Sequence, residues 1–181
     1  MRQTKLIETD RLILRKVAIN DSKDLFRNWA SDKKTNEFLT FQLHKTEEET
    51  KKMIEFWLKE YKRNGLRWCI ELKETKEVIG IISASTSYTY KCVEIGYSIS
   101  SKYWNKGYTS EAIIKIIDYL FTECNFNVIE AIIPSDNIAS IKVAEKCGLK
   151  LEANLKNRYK NKLTNKINDL LIYSKFNNTN N

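Results

Sequence analysis

The sequence is poor in the residues that most often build metal sites and nucleophilic triads. It contains one histidine, His44, and four cysteines in 181 residues. His44 lies in a polar segment with no partner nearby in the sequence, so a histidine-based triad is not expected. The cysteines are scattered and form no C-x-x-C pair: Cys69, Cys92, Cys124 and Cys147. We therefore expect no metal, and reduced, mostly buried cysteines as in a reducing compartment.

Long apolar runs are also missing. No run approaches the roughly 20 residues that a membrane-spanning helix needs. The N-terminal segment MRQTKLIETD lacks the apolar core of a signal peptide. We expect a cytoplasmic protein without membrane contact. Acidic residues are outnumbered, at 23 against 31 basic ones, which gives a net charge of +8. That balance favours polyanionic ligands such as nucleotides or nucleic acid, although a solvated lysine-rich surface has the same composition.

The remaining composition is that of an ordinary globular protein, with 42% apolar and 30% charged residues. A chain of this length can bury a sizeable core in one unit. Neither an internal repeat nor a linker divides the sequence. We predict one domain over residues 1–181, ordered over about 6–176, with a disordered asparagine-rich tail at 177–181.

Hydrophobic periodicity predicts about seven strands and about four helices. The strand-like runs are residues 9–17, 66–72, 78–88, 93–100, 128–133, 149–155 and 166–176. Helical spacing follows Asp21, Thr46 and Asn137 and covers about residues 109–124. The strand–helix–strand order around residue 107 implies one parallel strand pair, and the closely spaced strands imply antiparallel pairs. The predicted fold class is α/β (α+β), with a central mixed, mostly antiparallel sheet.

The stretch from Val93 to Cys124 organises the chain. A strand leads into a polar turn, Trp104-Asn105-Lys106-Gly107-Tyr108-Thr109, and then into an amphipathic helix. The open N–H groups and dipole of a helix N-terminus favour an anion. The P-loop and dinucleotide motifs are absent, because the turn has a single glycine. Gly107, and next Asn105, can adopt a positive φ. A tight connection without any ligand could use the same residues.

Four segments of the sequence resemble the GNAT family of N-acetyltransferases, most closely its branch of ribosomal-protein N-terminal (serine/alanine) acetyltransferases. They are Thr9–Arg15, Val93–Ala112, Asn137–Leu149 and Asn168–Ser174. The resemblance covers about residues 6–176 in the family's order. It implies a GNAT-like sheet in which the parallel pair splays apart, and acetyl-CoA as the cosubstrate.

The resemblance also implies how acetyl-CoA is bound. Its pyrophosphate would lie on the turn Trp104, Asn105, Lys106, Gly107, Tyr108 and Thr109. Its pantetheine arm would run along Tyr97, Ser98 and Ile99, with Asn137 and Ser140 facing the thioester. The turn departs from the family pattern at Trp104 and Thr109. Thr109 can cap the helix and donate its hydroxyl, so we expect the phosphate site to be retained. Where many members carry a catalytic tyrosine, this chain has Ala144, so Ser140 is the better candidate for a general acid.

The chemistry needs a base, because only a neutral amine attacks a thioester. Glu94 lies in the middle of a predicted strand and is the candidate base, acting through water. A solvent-facing glutamate paired with a lysine is the alternative. Glu111, in the first helical turn, is expected to interact with the helix dipole and is left out of catalysis. A backbone N–H near Ile95 or Tyr97 could stabilise the oxyanion, and Ser140 protonates the thiolate or positions the thioester.

The sequence gives little information about which amine accepts the acetyl group. Segments 32–45 and 157–165 are expected to flank its groove. A protein N-terminus, a polyamine, an aminoglycoside or another small amine all remain open, and the positive net charge disfavours polyamines. A homodimer is left open too. A basic module that binds RNA or ribosomes without catalysis is the alternative from another class, although the aromatic residues lie at core spacings.

Overall fold

The computed structural model describes residues 2–39, 42–62, 65–86, 91–162 and 164–177. Its strands are β1 (Ile7–Glu8), β2 (Leu12–Arg15), β3 (Leu66–Leu72), β4 (Val78–Thr86), β5 (Cys92–Ile99), β6 (Val128–Pro134), β7 (Lys150–Lys160) and β8 (Ile167–Phe176). Its α-helices are α1 (Ser22–Leu25), continued by a π-helical segment Phe26–Ala30, α2 (Glu47–Tyr61), α3 (Tyr108–Thr122) and α4 (Ile138–Lys146).

The strands form one sheet in the order β1-β2-β3-β4-β5-β6-β8-β7. All neighbours are antiparallel except β5 and β6, which pair in parallel between Cys92–Glu94 and Val128–Glu130. Beyond Glu94 and Glu130 the two strands have no further paired residues, so they diverge. The predicted mixed, mostly antiparallel sheet with one splayed parallel pair is confirmed.

The sheet has eight strands where the sequence predicted about seven. The difference lies at the first strand. The predicted run 9–17 pairs only as β2, while Ile7–Glu8 pairs back on it as a separate short strand. A tight turn joins the two, and in it the Thr9 N–H donates to the Leu12 carbonyl at 3.0 Å. Side chains alternate along β2, where Leu12 and Leu14 are buried and Ile13 and Arg15 are partly exposed.

Two cores lie on opposite faces of the sheet. The larger core packs Ile113, Ile116 and Leu120 of α3 against the strands. The smaller one packs α1, its π-helical continuation and α2 against β3 and β4, through residues that include Trp29 and Trp57. Because side chains alternate along a strand, β5 directs Val93 and Ile95 to the α3 face and Glu94 to the other face.

Several further predictions can be compared with the described residues. All four cysteines are buried and free, as expected. Thr46 caps α2, where its hydroxyl accepts the Glu49 N–H at 3.3 Å. The end of the strand predicted over 78–88 and tail residues 178–181 lie outside the described residues. Within those residues no helix is long and apolar enough to cross a membrane.

Candidate functional site

The turn before α3 holds two residues in the left-handed conformation. Asn105 has a φ of 60° and Gly107 a φ of 80°, as their residue types indicated. The first hydrogen bond of α3 runs from the Glu111 N–H to the Gly107 carbonyl. The preceding N–H groups of Tyr108, Thr109 and Ser110 therefore have no partner within the helix. Together with the helix dipole, they form a site for an anion.

The predicted cap of α3 is wrong. Gly107, not Thr109, is the N-cap residue, and no side chain caps the helix. Thr109 lies one residue inside the first turn because Gly107, in the left-handed conformation, already reverses the chain. The absence of a side-chain cap leaves the N–H groups of the first turn open to a ligand.

Arg11 of the loop before β2 braces this turn, a role that the sequence did not suggest. Its Nη1 donates to the Lys106 carbonyl at 3.1 Å, and its Nη2 lies 2.6 Å from Oε2 of Glu111. Its guanidinium also stacks 4.3 Å from the centre of the Tyr108 ring. These contacts hold the backbone of the turn in place. They join residues that are about a hundred positions apart in the chain.

Glu111 consequently has a more specific role than the expected interaction with the helix dipole. It accepts hydrogen bonds from the Thr9 hydroxyl and from the backbone and side chain of Arg11. Burial acts to raise the pKa of Glu111, but these hydrogen bonds outweigh it and hold the pKa below its ordinary value. Glu111 is thus an ionised anchor for Arg11 rather than a catalytic group.

The open edge of β5 lies where β6 departs. The Tyr97 hydroxyl donates to the Ser140 carbonyl at 2.8 Å, which ties β5 to α4 across the splay. The Ile99 carbonyl already accepts the Trp104 indole N–H at 2.9 Å and the Thr35 hydroxyl at 3.3 Å. Both acceptor positions of the Ile99 carbonyl are therefore occupied within the protein.

A cavity of about 580 Å³ occupies the splay. Nine of the residues predicted for the site line it: Tyr97, Ser98, Ile99, Trp104, Asn105, Gly107, Thr109, Asn137 and Ser140. Lys106 and Tyr108 do not, because the Lys106 ammonium lies 5.2 Å from the Tyr103 ring and Tyr108 packs under Arg11. Lys142 and Lys146 of α4 add positive charge to the lining, and their helical spacing of four places them on one face.

Asn137 and Ser140 sit at the start of α4. Asn137 is the N-cap residue, and its side-chain oxygen accepts the Ser140 N–H at 3.2 Å. The Ser140 carbonyl is held by Tyr97. Together these two hydrogen bonds fix the backbone of Ser140 in the wall of the cavity.

Glu94 occupies the last paired position before the splay. Its partner on β6 is Glu130 and its partner on β4 is Ser85. Burial, and then the neighbouring Glu130 carboxylate, raise the pKa of Glu94 above its ordinary value. A raised pKa makes a carboxylate a better proton acceptor at neutral pH. Glu94 is not part of the cavity lining, however, because it points to the face opposite α3.

Glu130 is a functional candidate that sequence reasoning missed. It lies 36 positions from Glu94 in the chain, and only the parallel register of β5 and β6 brings the two carboxylates side by side. A hydrophobic pattern does not fix that register. Among the described residues, no group of three or more His, Cys, Asp or Glu side chains is arranged to hold a metal ion.

Of the two segments expected to flank the acceptor, one lines the cavity. Residues 34–35 and 37–39 lie on its wall, and the segment is anchored where Asp32 accepts the Ser101 N–H at 3.0 Å. Thr40 and Phe41 lie outside the described residues. The described part of 157–165 does not line the cavity. Tyr159 in this segment has a raised pKa, first because of burial and then because of the negative charges of Asp136 and Glu37.

With this geometry established, comparison with known proteins defines the class. The family profile described as an acetyltransferase (GNAT) domain matches residues 11–150. The uncharacterised N-acetyltransferase YoaA of Bacillus subtilis is 32% identical over 152 residues, which cover 83% of this chain and 86% of YoaA.

Solved structures agree with that assignment. A GNAT-family acetyltransferase from Bacillus anthracis superimposes with a TM-score of 0.83 and 26% identity, covering 95% of this chain and 98% of the other. RimL, a ribosomal L7/L12 α-N-protein acetyltransferase in complex with coenzyme A, shares the fold with a TM-score of 0.80 and 18% identity, covering 95% and 98%. The chain belongs to the GNAT family of N-acetyltransferases and is an acyltransferase.

Proposed function

We propose that this N-acetyltransferase moves the acetyl group of acetyl-CoA to a protein N-terminal α-amine, such as that of a ribosomal protein. Transfer is direct, within a ternary complex. One observation carries the proposal: Thr109 and Ser110, which have open N–H groups at the start of α3, line the same cavity as the diverging edge of β5, with Ser140 also in its wall.

The residues present fit acetyl-CoA. The N–H groups of Tyr108, Thr109 and Ser110 would donate hydrogen bonds to its pyrophosphate, with Asn105 and Gly107 shaping the turn and Arg11 bracing it. Lys142 and Lys146 would offset the remaining phosphate charge. The pantetheine arm would pair with β5 near Tyr97 and Ser98, in the manner of an added strand.

Acetyl-CoA supplies an activated acyl group, and residues of the protein handle the protons. An α-ammonium has a pKa of about 8, so it must lose a proton before its nitrogen attacks the carbonyl carbon. Glu94 takes that proton through water. The N–C bond would form and the C–S bond would break. The remaining extra proton on the nitrogen would then pass, through water or relayed by the Ser140 hydroxyl, to the departing thiolate, whose pKa is about 8.5 by analogy with cysteine. An N–H near Ile95 or Tyr97 stabilises the oxyanion.

A small cationic amine is the second candidate acceptor, and one observation favours it. The net charge of +8 argued against polyamines, yet the carboxylates of Glu94 and Glu130 lie side by side at the splay. A non-catalytic RNA-binding module is the least supported alternative, since the turn and the cavity fit a small phosphorylated ligand instead.

Three wider predictions remain part of the proposal. The chain acts as one acetyltransferase domain, which the continuous sheet supports. Its location is cytoplasmic, which the four free cysteines support. A homodimer is supported by the outermost strand β7, where Leu151 is 54% exposed and Leu155 is 40% exposed. Sedimentation equilibrium of the full chain tests the dimer.

The test of the activity has two parts. Isothermal titration measures acetyl-CoA binding, and release of coenzyme A thiol is then followed with a panel of peptides bearing free N-termini and of small amines. We expect one acetyl-CoA site per chain and amine-dependent thiol release that is fastest with peptides. Absence of acetyl-CoA binding would refute the enzyme proposal. Faster release with polyamines would replace the peptide acceptor by the second candidate.

A further inference from the structure

Part of the sheet is uncovered on the face opposite α3. On that face α1 and α2 pack on β3 and β4, and the described part of their core contains no residue of β5, β6, β7 or β8. In β6 and β8, Ala131, Ile133 and Tyr173 belong to the core under α3. Because side chains alternate along a strand, the residues between them are directed to the uncovered face. This half of the sheet therefore presents side chains to a ligand.

Two carboxylates lie side by side on the uncovered face. Glu94 of β5 pairs with Glu130 of β6 at the last position before the strands diverge. Glu94 is exposed and Glu130 is partly exposed, so a ligand can reach both. The register places Lys150 on the same face, two strands from Glu130. Within the described residues neither carboxylate forms an ion pair with Lys150 or with any other cation. Two neighbouring carboxylates without a cation favour a positively charged ligand.

An apolar surface adjoins the two carboxylates. Two residues beyond Glu130, Ile132 is directed to the same face and is 40% exposed. The register places Ile172 of β8 opposite Ile132, with Leu170 two residues away, and both are partly exposed. We call Ile132, Leu170 and Ile172 the apolar shelf. Two residues along a strand span about 7 Å, so the shelf begins about that far from Glu130.

The β5 side of the gap carries no side chain at the corresponding level. Gly96 lies two residues beyond Glu94, on the same face, and is exposed. Next along β5, Tyr97 and Ser98 line the cavity proposed for acetyl-CoA. An amine beside Glu94 would therefore lie at the edge of the proposed cofactor site, with the apolar shelf across the gap.

Charge and polarity together indicate which ligand fits this surface. An ammonium group is favoured beside the carboxylates, and an apolar substituent on the same molecule would cover the shelf. A second ammonium, as in a polyamine, would lose water on the shelf without gaining a partner there.

A second copy of the chain fits the shelf less well. Three side chains offer much less area than the roughly 800 Å² that each partner buries in a stable complex. Leu155, which pairs with Leu170, lies on β7, the edge proposed above for the dimer. The shelf is thus of a size that suits one side chain of a small ligand or peptide.

We propose that the apolar shelf binds the first side chain of the acceptor while its amino group lies beside Glu94 and Glu130. The enzyme then selects peptide N-termini that begin with a large apolar residue and discriminates against polyamines. This inference deepens the proposed acetyl transfer and rests on it.

The first test compares two peptides that differ only in their first side chain, leucyl-triglycine amide and seryl-triglycine amide. Thiol release gives kcat/KM for each peptide. Calorimetric titration into the chain saturated with coenzyme A gives each affinity without turnover. We expect the leucyl peptide to exceed the seryl peptide by about tenfold or more in both quantities, because only the leucyl side chain buries apolar surface on the shelf.

A second pair of probes tests the discrimination against polyamines. Putrescine and n-pentylamine have nearly the same length, but n-pentylamine carries a methyl group in place of one ammonium group. We expect a higher kcat/KM for n-pentylamine, because its methyl end can cover the shelf. Neither pair of probes needs a variant, so both comparisons remain valid if a substitution impairs folding.

The variant Ile132→Thr tests the shelf itself. Threonine keeps the β-branched shape that suits a strand but adds a hydroxyl group. We expect the preference for the leucyl peptide over the seryl peptide to fall by about threefold or more, with the affinity for coenzyme A unchanged. Ile167→Thr is the matched control. Ile167 is 59% exposed on β8, and its position five residues before Ile172 directs it to the other face. This control should keep the full preference.

The outcomes separate the two proposals. If the wild-type chain does not bind coenzyme A, or acetylates none of the four probes, the proposed acetyl transfer fails and the inference fails with it. If the two peptides react equally well, or if putrescine reacts faster than n-pentylamine, the inference is overturned and acetyl transfer stands. An unchanged preference in Ile132→Thr also overturns it. Loss of a dimer in that variant, seen by sedimentation equilibrium, would then identify the shelf as an interface between copies.

Discussion

The proposed cofactor side and the proposed acceptor side of the site are built in different ways. The proposed cofactor side comes mainly from one continuous stretch, from Tyr97 through Thr109, whose backbone would do the binding. The proposed acceptor side depends on side chains that are far apart in the sequence, Glu94 and Glu130, which lie side by side where β5 and β6 diverge and outside the cavity lining. Backbone N–H groups on a short turn suit a constant cofactor, whereas scattered side chains can change with the acceptor.

The largest expected effect tests the acceptor side through Glu94. Glu94→Gln removes the proposed base, and we expect kcat/KM to fall by about a hundredfold or more near pH 7.5, the usual contribution of general base catalysis. The affinity for acetyl-CoA should not change. Steady-state thiol release and isothermal titration measure the two quantities. Glu55→Gln, on the exposed side of α2, is the control. Unchanged turnover across pH 6–9 would remove Glu94 from the mechanism.

The next effect tests the cofactor side through its glycine. Gly107→Ala forces an alanine into a φ of +80°, which is unfavourable by about 1–2 kcal/mol, although an added Cβ would have 3.5 Å of space to Arg11. We expect acetyl-CoA affinity to fall by about tenfold, because the strained turn shifts its N–H groups. Isothermal titration measures the loss.

Gly148→Ala is a matched control for that prediction. Gly148 has a φ of +81° at the end of α4, so it suffers the same backbone strain outside the turn. Both variants should lose thermal stability by a similar amount, but only Gly107→Ala should lose acetyl-CoA affinity. Equal affinity losses would mean that the turn before α3 is not the phosphate site.

A smaller effect tests the brace behind the turn. Arg11→Ala removes the hydrogen bond to the Lys106 carbonyl and the ion pair with Glu111. Since Arg11 is 46% exposed, we expect only about a fivefold rise in KM for acetyl-CoA, with kcat unchanged. Lys5→Ala removes an exposed ion pair with Glu123 and serves as the control. A fall in kcat without a change in KM would contradict the bracing role.

The smallest effect concerns the pH dependence of Glu94. A base must be ionised, so kcat/KM falls on the acidic side of its pKa. The Glu130 carboxylate is one cause that raises the pKa of Glu94, after burial. Glu130→Gln removes that cause, and the acidic limb of the kcat/KM profile should therefore move to lower pH. A limb that stays in place, or moves to higher pH, would show that Glu130 does not act on the catalytic base.

Prediction from the sequence succeeded where short-range signals decide the structure. The amphipathic pattern of α3 and the positive φ of Asn105 and Gly107 follow from residue type and spacing. The cap of α3 was mispredicted, because a left-handed glycine replaced the expected side-chain cap. The extra strand β1 was not predicted, because Ile7–Glu8 is too short to show a strand pattern and its pairing depends on the tight turn to β2.

The contacts that the sequence could not predict depend on long-range register. Arg11 contacts the turn before α3 only because the fold brings the start of β2 next to that turn. Glu130 lies beside Glu94 only because of the parallel register of β5 and β6. The pairing of Asp136 with Asn168 likewise joins two segments 32 positions apart. Hydrophobic periodicity identifies which face of an element is buried but leaves open which polar side chains meet.

Amine-dependent release of coenzyme A thiol from acetyl-CoA tests the central claim most directly. The purified full chain is incubated with acetyl-CoA alone and then with a peptide bearing a free N-terminus, and the thiol and the acetylated peptide are both quantified. The account predicts slow release without peptide, and with peptide one acetylated N-terminus for each thiol released. Acetyl-CoA that binds in the cavity without any acetylated amine across the peptide and small-amine panel would contradict it.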